Sequence, residues 1–366
     1  MTKIFKLIHN WVGFFISLIM LVVLTTGIYL GSVDLLKRFD DKGQVFSALS
    51  NEQKAGIAAK ALSNYPDATG VKLPTEMSPY VETYSRQQST FLTTELEELG
   101  TQVKSDNEVW RFIFFFHRNF QLSDPGKHVN AISSILATVI MFIGLYLWWL
   151  IRRGFKWKHT IPKNSKNSAL IKSHIQLGLI FSIPLLIMAI SGAYITYGPR
   201  GGATLDDNRA KPVMGQANDW QSQILAAQKL WPDAELVSVS KPRRPQPDSL
   251  IYSLNFNASN VFALQQADTI KIDFETGQLY SAITFAERGI KGQAIYSARF
   301  LHDGARMPTW YLLMLIISSI VGTAMVSFAL LTFVRKEFIG RRAKKQSKAK
   351  TVGSAETATF GLGKQR

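Results

Sequence analysis

Four long apolar stretches, separated by polar segments, limit what this chain can fold into. They cover residues 11–30, 131–151, 175–197 and 310–334, and each is almost free of charged residues. A helix needs about 20 apolar residues to cross a bilayer, and a buried helix of a soluble protein rarely stays apolar for so long. The pattern therefore predicts a membrane protein with four transmembrane helices.

The first and third apolar stretches repeat one pattern. At one constant offset along the chain, His9 before the first stretch corresponds to His174 before the third, and Gly27 corresponds to Gly192 near their far ends. A fixed internal period indicates a repeated structural unit. The chain is therefore predicted to be a tandem duplication, in which two helix pairs form a four-helix bundle.

The polar segments repeat as well. Each opens with a helix-like stretch, at 51–62 and 219–230, and then carries the related motifs Tyr65-Pro66-Asp67-Ala68 and Trp231-Pro232-Asp233-Ala234. Short runs rich in Val, Thr and aromatic residues follow and predict strands. Each half thus has an α+β block between its two spans, and both halves enter the membrane in the same direction. They should be related by a pseudo-twofold axis along the membrane normal.

The positive charge of the chain is unevenly distributed. The net charge is +16, and the segment 152–173 holds seven Lys or Arg with no acidic residue, while ten more follow residue 334. Because Lys and Arg are enriched in cytoplasmic loops, both termini are predicted to lie in the cytoplasm and both α+β blocks outside it, in the periplasm of a bacterial inner membrane. The charge indicates topology and contact with membrane lipid, not nucleic-acid binding.

These patterns divide the chain into nine segments. They are a first span at 9–30, a periplasmic block at 31–108, an interfacial segment at 109–128, a second span at 129–151, a basic cytoplasmic loop at 152–173, a third span at 174–197, a second periplasmic block at 198–305, a fourth span at 307–334 and a basic cytoplasmic tail at 335–366. In the interfacial segment, Pro125-Gly126 is predicted to turn the chain into the second span.

The chain has no cysteine. This excludes disulfides, Cys-ligated iron–sulfur clusters, thiolate ligation of haem and cysteine catalysis. It also lacks GxGxxG, P-loop, HExxH and GxSxG motifs, so no familiar soluble-enzyme motif competes with the membrane pattern.

Four of the six histidines occupy equivalent places in the two halves. His9 and His174 precede spans one and three, whereas His117 and His302 precede spans two and four. A twofold axis places equivalent residues at equal depth and opposite each other, where two imidazoles can bind both axial positions of one haem iron. The sequence therefore predicts two haems, one near each membrane face, although a crossed pairing would use the same histidines.

Glycines in the repeated spans are candidate parts of the haem sites. Five full helical turns of about 3.6 residues each separate His9 from Gly27, and likewise His174 from Gly192. Gly27 and Gly192 would thus leave room for a porphyrin, as would Gly13 and Gly178 beside the inner histidines. Packing between helices is the alternative role for such small residues.

The sequence leaves open the roles of two further histidines and three arginines. His128 borders span two and is interpreted as interfacial, with replacement of His117 as the alternative, and His159 lies in the basic loop. Arg118, Arg299 and Arg306 flank the outer histidines and would hold haem propionates or an anionic substrate, since arginine pairs with carboxylates. Contact with lipid headgroups is an equally good interpretation.

Several motifs together resemble the PepSY-associated transmembrane family. They are His9-Asn-Trp-Val-Gly13, Phe116-His117-Arg118, Gly144-Leu-Tyr-Leu-Trp148-Trp149, His174 with Ser191-Gly192, and Leu301-His302-Asp303-Gly304. The Asp273–Gly277 turn is similar to that of PepSY modules, so that both α+β blocks resemble such modules.

The family includes iron-regulated inner-membrane proteins, among them FoxB-like reductases of ferric siderophores with two haems of the b type. The resemblance implies a ferric-siderophore reductase that holds two haem b through His9, His174, His117 and His302. The enzyme would accept electrons from quinol or a cytoplasmic flavoprotein and release Fe(II) from a ferric siderophore in the periplasm.

Two other functions remain as alternatives. A membrane-anchored PepSY module could bind a periplasmic peptide or protease without redox activity, but four repeated histidines would then have no role. A transporter of haem or iron complexes would need polar residues deep within the spans, and these spans have almost none.

Overall fold

The computed structural model describes residues 2–76, 78–103, 107–151, 154–198, 212–241, 250–257, 268–304 and 307–339. Arg306 and the tail beyond residue 339 lie outside the described residues. The described residues form two compact units: those within 1–28, 132–190 and 317–339 make up the first, and those within 29–131 and 191–316 make up the second.

Within the described ranges, four helices are long and apolar enough to cross a membrane. They are α1 (Thr2–Arg38), α4 (Ser123–Ile151), α5 (Asn167–Tyr197) and α8 (Thr309–Val334). The prediction of four transmembrane helices is therefore confirmed. All four expose large apolar side chains, such as Ile183 on α5 at 70 %, as expected of surfaces that face lipid.

The remaining α-helices of the described residues are shorter and belong to the second unit. They are α2 (Asn51–Asn64), α3 (Glu108–Asn119), α6 (Trp220–Gln228) and α7 (Gly289–Asp303). Helix α2 begins at a capping box in which Ser50 and Gln53 bond each other's backbone, and the Asp219 side chain accepts two backbone hydrogen bonds at the start of α6. Such caps satisfy the free N–H groups of a first turn, and they explain why both helices begin where the sequence predicts.

In the described part of the chain, eight strands form one antiparallel sheet in the order β4-β3-β2-β1-β5-β6-β7-β8. They are β1 (Gly70–Lys72), β2 (Val81–Tyr84), β3 (Gln88–Leu92), β4 (Glu98–Val103), β5 (Glu235–Ser240), β6 (Ile251–Asn257), β7 (Asp268–Asp273) and β8 (Leu279–Ile283). Strands β1–β4 come from the first predicted α+β block and β5–β8 from the second. The two blocks are thus halves of one sheet.

The halves join where β1 pairs with β5. In this register Lys72 lies opposite Ser238, and Val71 lies opposite Val239. Lys72 and Ser238 are separated along the chain by the same offset as the two Pro-Asp-Ala motifs of the repeat. Strand β1 has only three residues, and pairing with β5 covers an edge that would otherwise expose free backbone groups.

One hydrophobic core lies between the sheet and helices α2 and α6. It combines side chains from both halves, including Leu62, Val81, Ile224, Tyr252 and Phe256. The Tyr252 hydroxyl is buried and donates to the Gln223 side chain at 3.0 Å. Burial raises the pKa of Tyr252 well above its usual range, so it stays a neutral donor at physiological pH.

The turn into the second span differs from the prediction. The chain reverses at Phe120 and Gln121, which adopt positive φ angles of 51° and 61°, and α4 begins at Ser123. Pro125-Gly126 therefore lies in the first turn of α4, where proline is well tolerated. A Cβ atom on Gly126 would lie 1.7 Å from the Asn119 carbonyl oxygen, so only glycine allows this close approach.

Candidate functional site

The first histidine pair consists of His9 on α1 and His174 on α5. Their ring centroids are 6.4 Å apart, and the ring planes meet at 72°. His174 Nδ1 lies 3.1 Å from the Met325 carbonyl oxygen on α8 and donates to it. This hydrogen bond fixes the ring and leaves His174 Nε2 available as a ligand.

The second histidine pair consists of His117 on α3 and His302 on α7. Their ring centroids are 6.1 Å apart, with the planes tilted by 50°. His302 Nδ1 lies 3.3 Å from the Ser191 hydroxyl. The Asn130 side chain donates to the backbone carbonyl of His117 at 2.7 Å, which fixes α3 beside the start of α4.

The separation within both pairs suits a metal ion between two imidazoles. Metal–imidazole bonds are about 2 Å long, and each ring centre lies about 1 Å beyond its nitrogen, so two axial ligands place their ring centres about 6 Å apart. Two packed aromatic rings can have the same separation. However, His9 Nδ1 is buried without a hydrogen-bond partner among the described residues, and a buried polar atom of this kind needs a partner.

The number of ligands favours haem over a bare ion. No group of three or more His, Cys, Asp or Glu side chains that could hold a metal ion occurs within the described ranges. A structural zinc ion needs four protein ligands, whereas haem supplies four nitrogens itself and needs one or two axial side chains. The residues of both pairs therefore fit haem.

Each pair has one ring packed against a glycine of another helix. A Cβ atom on Gly144 of α4 would lie 3.1 Å from His9 Cε1, and one on Gly192 of α5 would lie 2.9 Å from His302 Cε1. Gly192 thus allows the close approach of His302 to α5.

Gly13 and Gly178 do not adjoin a histidine ring in this way. The nearest atoms to a Cβ on Gly13 and Gly178 belong to Ile140 and Met325. Gly27 is half-buried on α1. Gly144, and not Gly13 or Gly178, is the glycine beside the first pair.

The remaining histidines lie elsewhere. His128 is exposed, stacks on Tyr197 and forms a 3.0 Å hydrogen bond with its hydroxyl. The structure therefore places His117, and not His128, opposite His302. His159 lies in a short 3-10 turn, Trp157–His159, of the loop between α4 and α5.

The arginines near the second pair have different surroundings. Arg299 pairs with Asp303 at 3.3 Å, one helical turn later on α7. Arg118 is exposed, and in the described part of the chain its guanidinium has no partner. Arg118 is thus available to pair with an anionic group, whereas Arg299 already forms an ion pair with Asp303.

Sequence reasoning missed several residues that position the pairs. Arg38 at the end of α1 donates to the carbonyls of Gly304 and Met307, at 2.6 and 2.8 Å, and so fixes the turn that follows His302. Ser191 belongs to the repeated pattern, in which it corresponds to Thr26 of the first half, and this correspondence could have identified it as a candidate. The Met325 carbonyl could not be identified from the sequence, because every residue has a backbone carbonyl.

Comparison with known proteins gives the family. No curated protein matches this chain. The family model described as the PepSY-associated TM region matches residues 6–336, which include the sheet, both histidine pairs and the four long helices except for the start of α1. The chain is therefore a multi-pass membrane protein that belongs to the PepSY-associated transmembrane family.

Proposed function

We propose that this protein is a di-haem b ferric-siderophore reductase of the bacterial inner membrane. The observation that carries the proposal is the presence of two histidine pairs, each with the ring separation that haem ligation requires. The siderophore specificity comes from the resemblance to FoxB-like reductases. Quinol or a cytoplasmic flavoprotein would supply the electrons.

The proposed topology has both termini in the cytoplasm. The basic segment 152–173 lies between α4 and α5, and another follows α8, which under the positive-inside rule places these helix ends inside. The first pair then lies near the cytoplasmic face. The second pair and the sheet lie on the periplasmic side, where a ferric siderophore would arrive.

We further infer that the chain arose by tandem duplication. The register that sets Lys72 opposite Ser238 supports this, because a residue that pairs with its own repeat equivalent lies on a local twofold axis. Both histidine pairs join one residue from each half of the chain. Duplication therefore accounts for the pairs as well as for the symmetric strand order.

The side chains have distinct roles in this proposal. His9 and His174 would hold one haem, and His117 and His302 the other. Haem held by these residues would supply one-electron transfer to the ferric substrate. The Met325 carbonyl and the Ser191 hydroxyl orient His174 and His302 and raise their basicity. Arg118 would meet a propionate or the anionic substrate.

Optical spectroscopy tests the proposal directly. The purified protein should show a haem b spectrum that changes on reduction with dithionite, and a pyridine haemochrome assay should give two haems per chain. The reduced protein should then be reoxidised by a ferric siderophore, with release of Fe(II) to a ferrous chelator. A folded preparation without haem would contradict the proposal and favour a PepSY module that binds a periplasmic peptide or protease.

The Ser191 hydroxyl provides a second prediction. A haem-ligating His302 would donate from Nδ1 to the Ser191 hydroxyl. In Ser191→Ala this hydrogen bond is lost, so the ring should become less basic and stabilise Fe(III) less, and the reduction potential of one haem should rise. The rise should be at most about 40 mV, because only the difference in hydrogen-bond strength between the Fe(III) and Fe(II) forms shifts the potential, and a whole net hydrogen bond of about 1 kcal/mol corresponds to about 40 mV for one electron. Potentiometric titration should show this rise for one haem only. Ser182→Ala in the same helix, where the hydroxyl bonds Leu179, should leave both potentials unchanged.

A further inference from the structure

The loop between α4 and α5 is held firmly against the helices of the first unit. Its described part begins at Gly154 and includes the turn Trp157–His159. Three hydrogen bonds attach it, from Lys156 N–H to Gln176 Oε1 at 2.8 Å, from Ser173 Oγ to the Thr160 carbonyl at 2.5 Å, and from Arg335 Nη1 to the Ser165 carbonyl at 2.5 Å. The loop therefore presents a defined surface.

Four exposed lysines of this region form a basic patch, defined here as Lys156, Lys158, Lys163 and Lys172. They surround His159, whose pKa is lowered by slight desolvation and then by the positive charges of all four lysines. The chain has no Asp or Glu between residues 152 and 173. The positive charge of the patch is thus concentrated and lacks a neutralising acid in its own segment.

Large apolar side chains accompany the basic patch. Trp157 is 74 % exposed and Ile161 is 79 % exposed, and Phe155 packs edge-to-face on Trp157. Ordinary solvent-facing loops rarely combine a tryptophan, an isoleucine and several lysines in so few residues. A ligand that matches this surface needs an anionic group beside an apolar group.

The attachment points place the loop at the membrane boundary. Thr160 is bonded to Ser173, and the apolar stretch of α5 begins just beyond it at Ile175. The basic patch should therefore lie at the level of the lipid headgroups. Tryptophan prefers this interface, and each lysine near an anionic surface strengthens binding about fivefold.

We propose that the basic patch, with Trp157 and Ile161, is a binding site for an anionic phospholipid. The lysines would contact the headgroup phosphate while Trp157 and Ile161 contact the acyl region. The boundary position favours lipid over an acidic protein, which would contact lysines farther from the apolar stretch. Because Ser173 and Gln176 flank His174, a bound lipid would also stabilise the helical turn that carries this histidine.

Lipid titration of the full-length protein in detergent tests this site. Phosphatidylglycerol and phosphatidylcholine are added separately, and bound lipid is counted by native mass spectrometry. The unaltered protein should prefer phosphatidylglycerol. In the triple variant Lys156→Gln, Lys158→Gln, Lys163→Gln, the affinity should fall about 100-fold, since each lysine is worth about a factor of five.

A matched triple variant distinguishes the effect of the basic patch from the effect of removing three positive charges elsewhere. Lys60→Gln, Lys229→Gln, Lys291→Gln removes three exposed lysines of the second unit and should leave lipid binding unchanged. Equal binding of the two lipids, or equal loss in both triple variants, would overturn the proposal. Displacement of the lipid by inorganic phosphate would also overturn it. The same holds if the patch variant still binds the lipid but loses salt-sensitive association with an acidic carrier protein.

Discussion

If each histidine pair holds one haem, as proposed, the variant His302→Ala should bind one haem per chain where the unaltered protein should bind two. The second pair places His302 6.1 Å from His117, so the variant leaves one imidazole where bis-histidine ligation needs two. The first pair has no residue in common with the second, and its haem should remain. The pyridine haemochrome assay measures the loss, and siderophore reduction should stop because the periplasmic haem is missing.

Alanine variants of the other three candidate ligands identify which two histidines hold each haem. His117→Ala should leave the same residual spectrum as His302→Ala, whereas His9→Ala and His174→Ala should share a different one. His128→Ala is the matched control, because His128 is exposed and bonded to Tyr197, and it should retain both haems. Loss of both haems in every single variant, or identical residual spectra for His302→Ala and His174→Ala, would contradict two independent sites.

The variant Gly192→Val should also lose the haem of the second pair. Even the first added carbon would lie 2.9 Å from His302 Cε1, so the imidazole must move, and valine adds two methyl groups near it. Loss of precise support for a metal ligand commonly weakens metal binding about 10- to 100-fold. Gly144→Val should act in the same way on the first pair through His9. Haem retained during size-exclusion chromatography measures both effects.

Gly13→Ala serves as the control for the glycine variants. A Cβ atom at this position would meet Ile140 at 3.8 Å, an ordinary contact, so both haems should remain. Gly192→Ala should retain less haem than the control Gly13→Ala and more haem than Gly192→Val. If Gly192→Val retained both haems with an unchanged spectrum, the packing of His302 on α5 would have no part in binding.

The transmembrane helices and the candidate ligands were predictable from local and periodic signals. Hydropathy identifies a span because lipid cannot satisfy backbone polar groups, which forces a long apolar helix. The histidine pairs could be predicted because the repeated pattern relates His9 to His174, and a twofold axis between equivalent segments would place equivalent positions opposite each other. The structure brings these two rings to 6.4 Å from each other, and those of His117 and His302 to 6.1 Å.

Contacts between distant parts of the chain could not be predicted in the same way. The pairing of β1 with β5 joins segments from opposite halves of the chain, and a strand as short as β1 carries too weak a pattern to name its partner. The role of Gly144 depends on how α4 approaches α1. The site of the reversal, at Phe120 and Gln121 instead of Pro125-Gly126, depends on the close contact of Gly126 with Asn119.

The sequence by itself determined the four membrane helices, the family and the set of candidate ligands, because hydropathy and residue type are local properties of the chain and the repeat period is visible along it. Only the tertiary structure decided that the two α+β blocks form one sheet, that His174 donates to Met325 and His302 bonds Ser191, and that the loop holding Trp157 attaches beside His174. These features depend on packing between elements distant in the chain, where a backbone carbonyl or the absence of a Cβ atom leaves no distinctive pattern in the sequence.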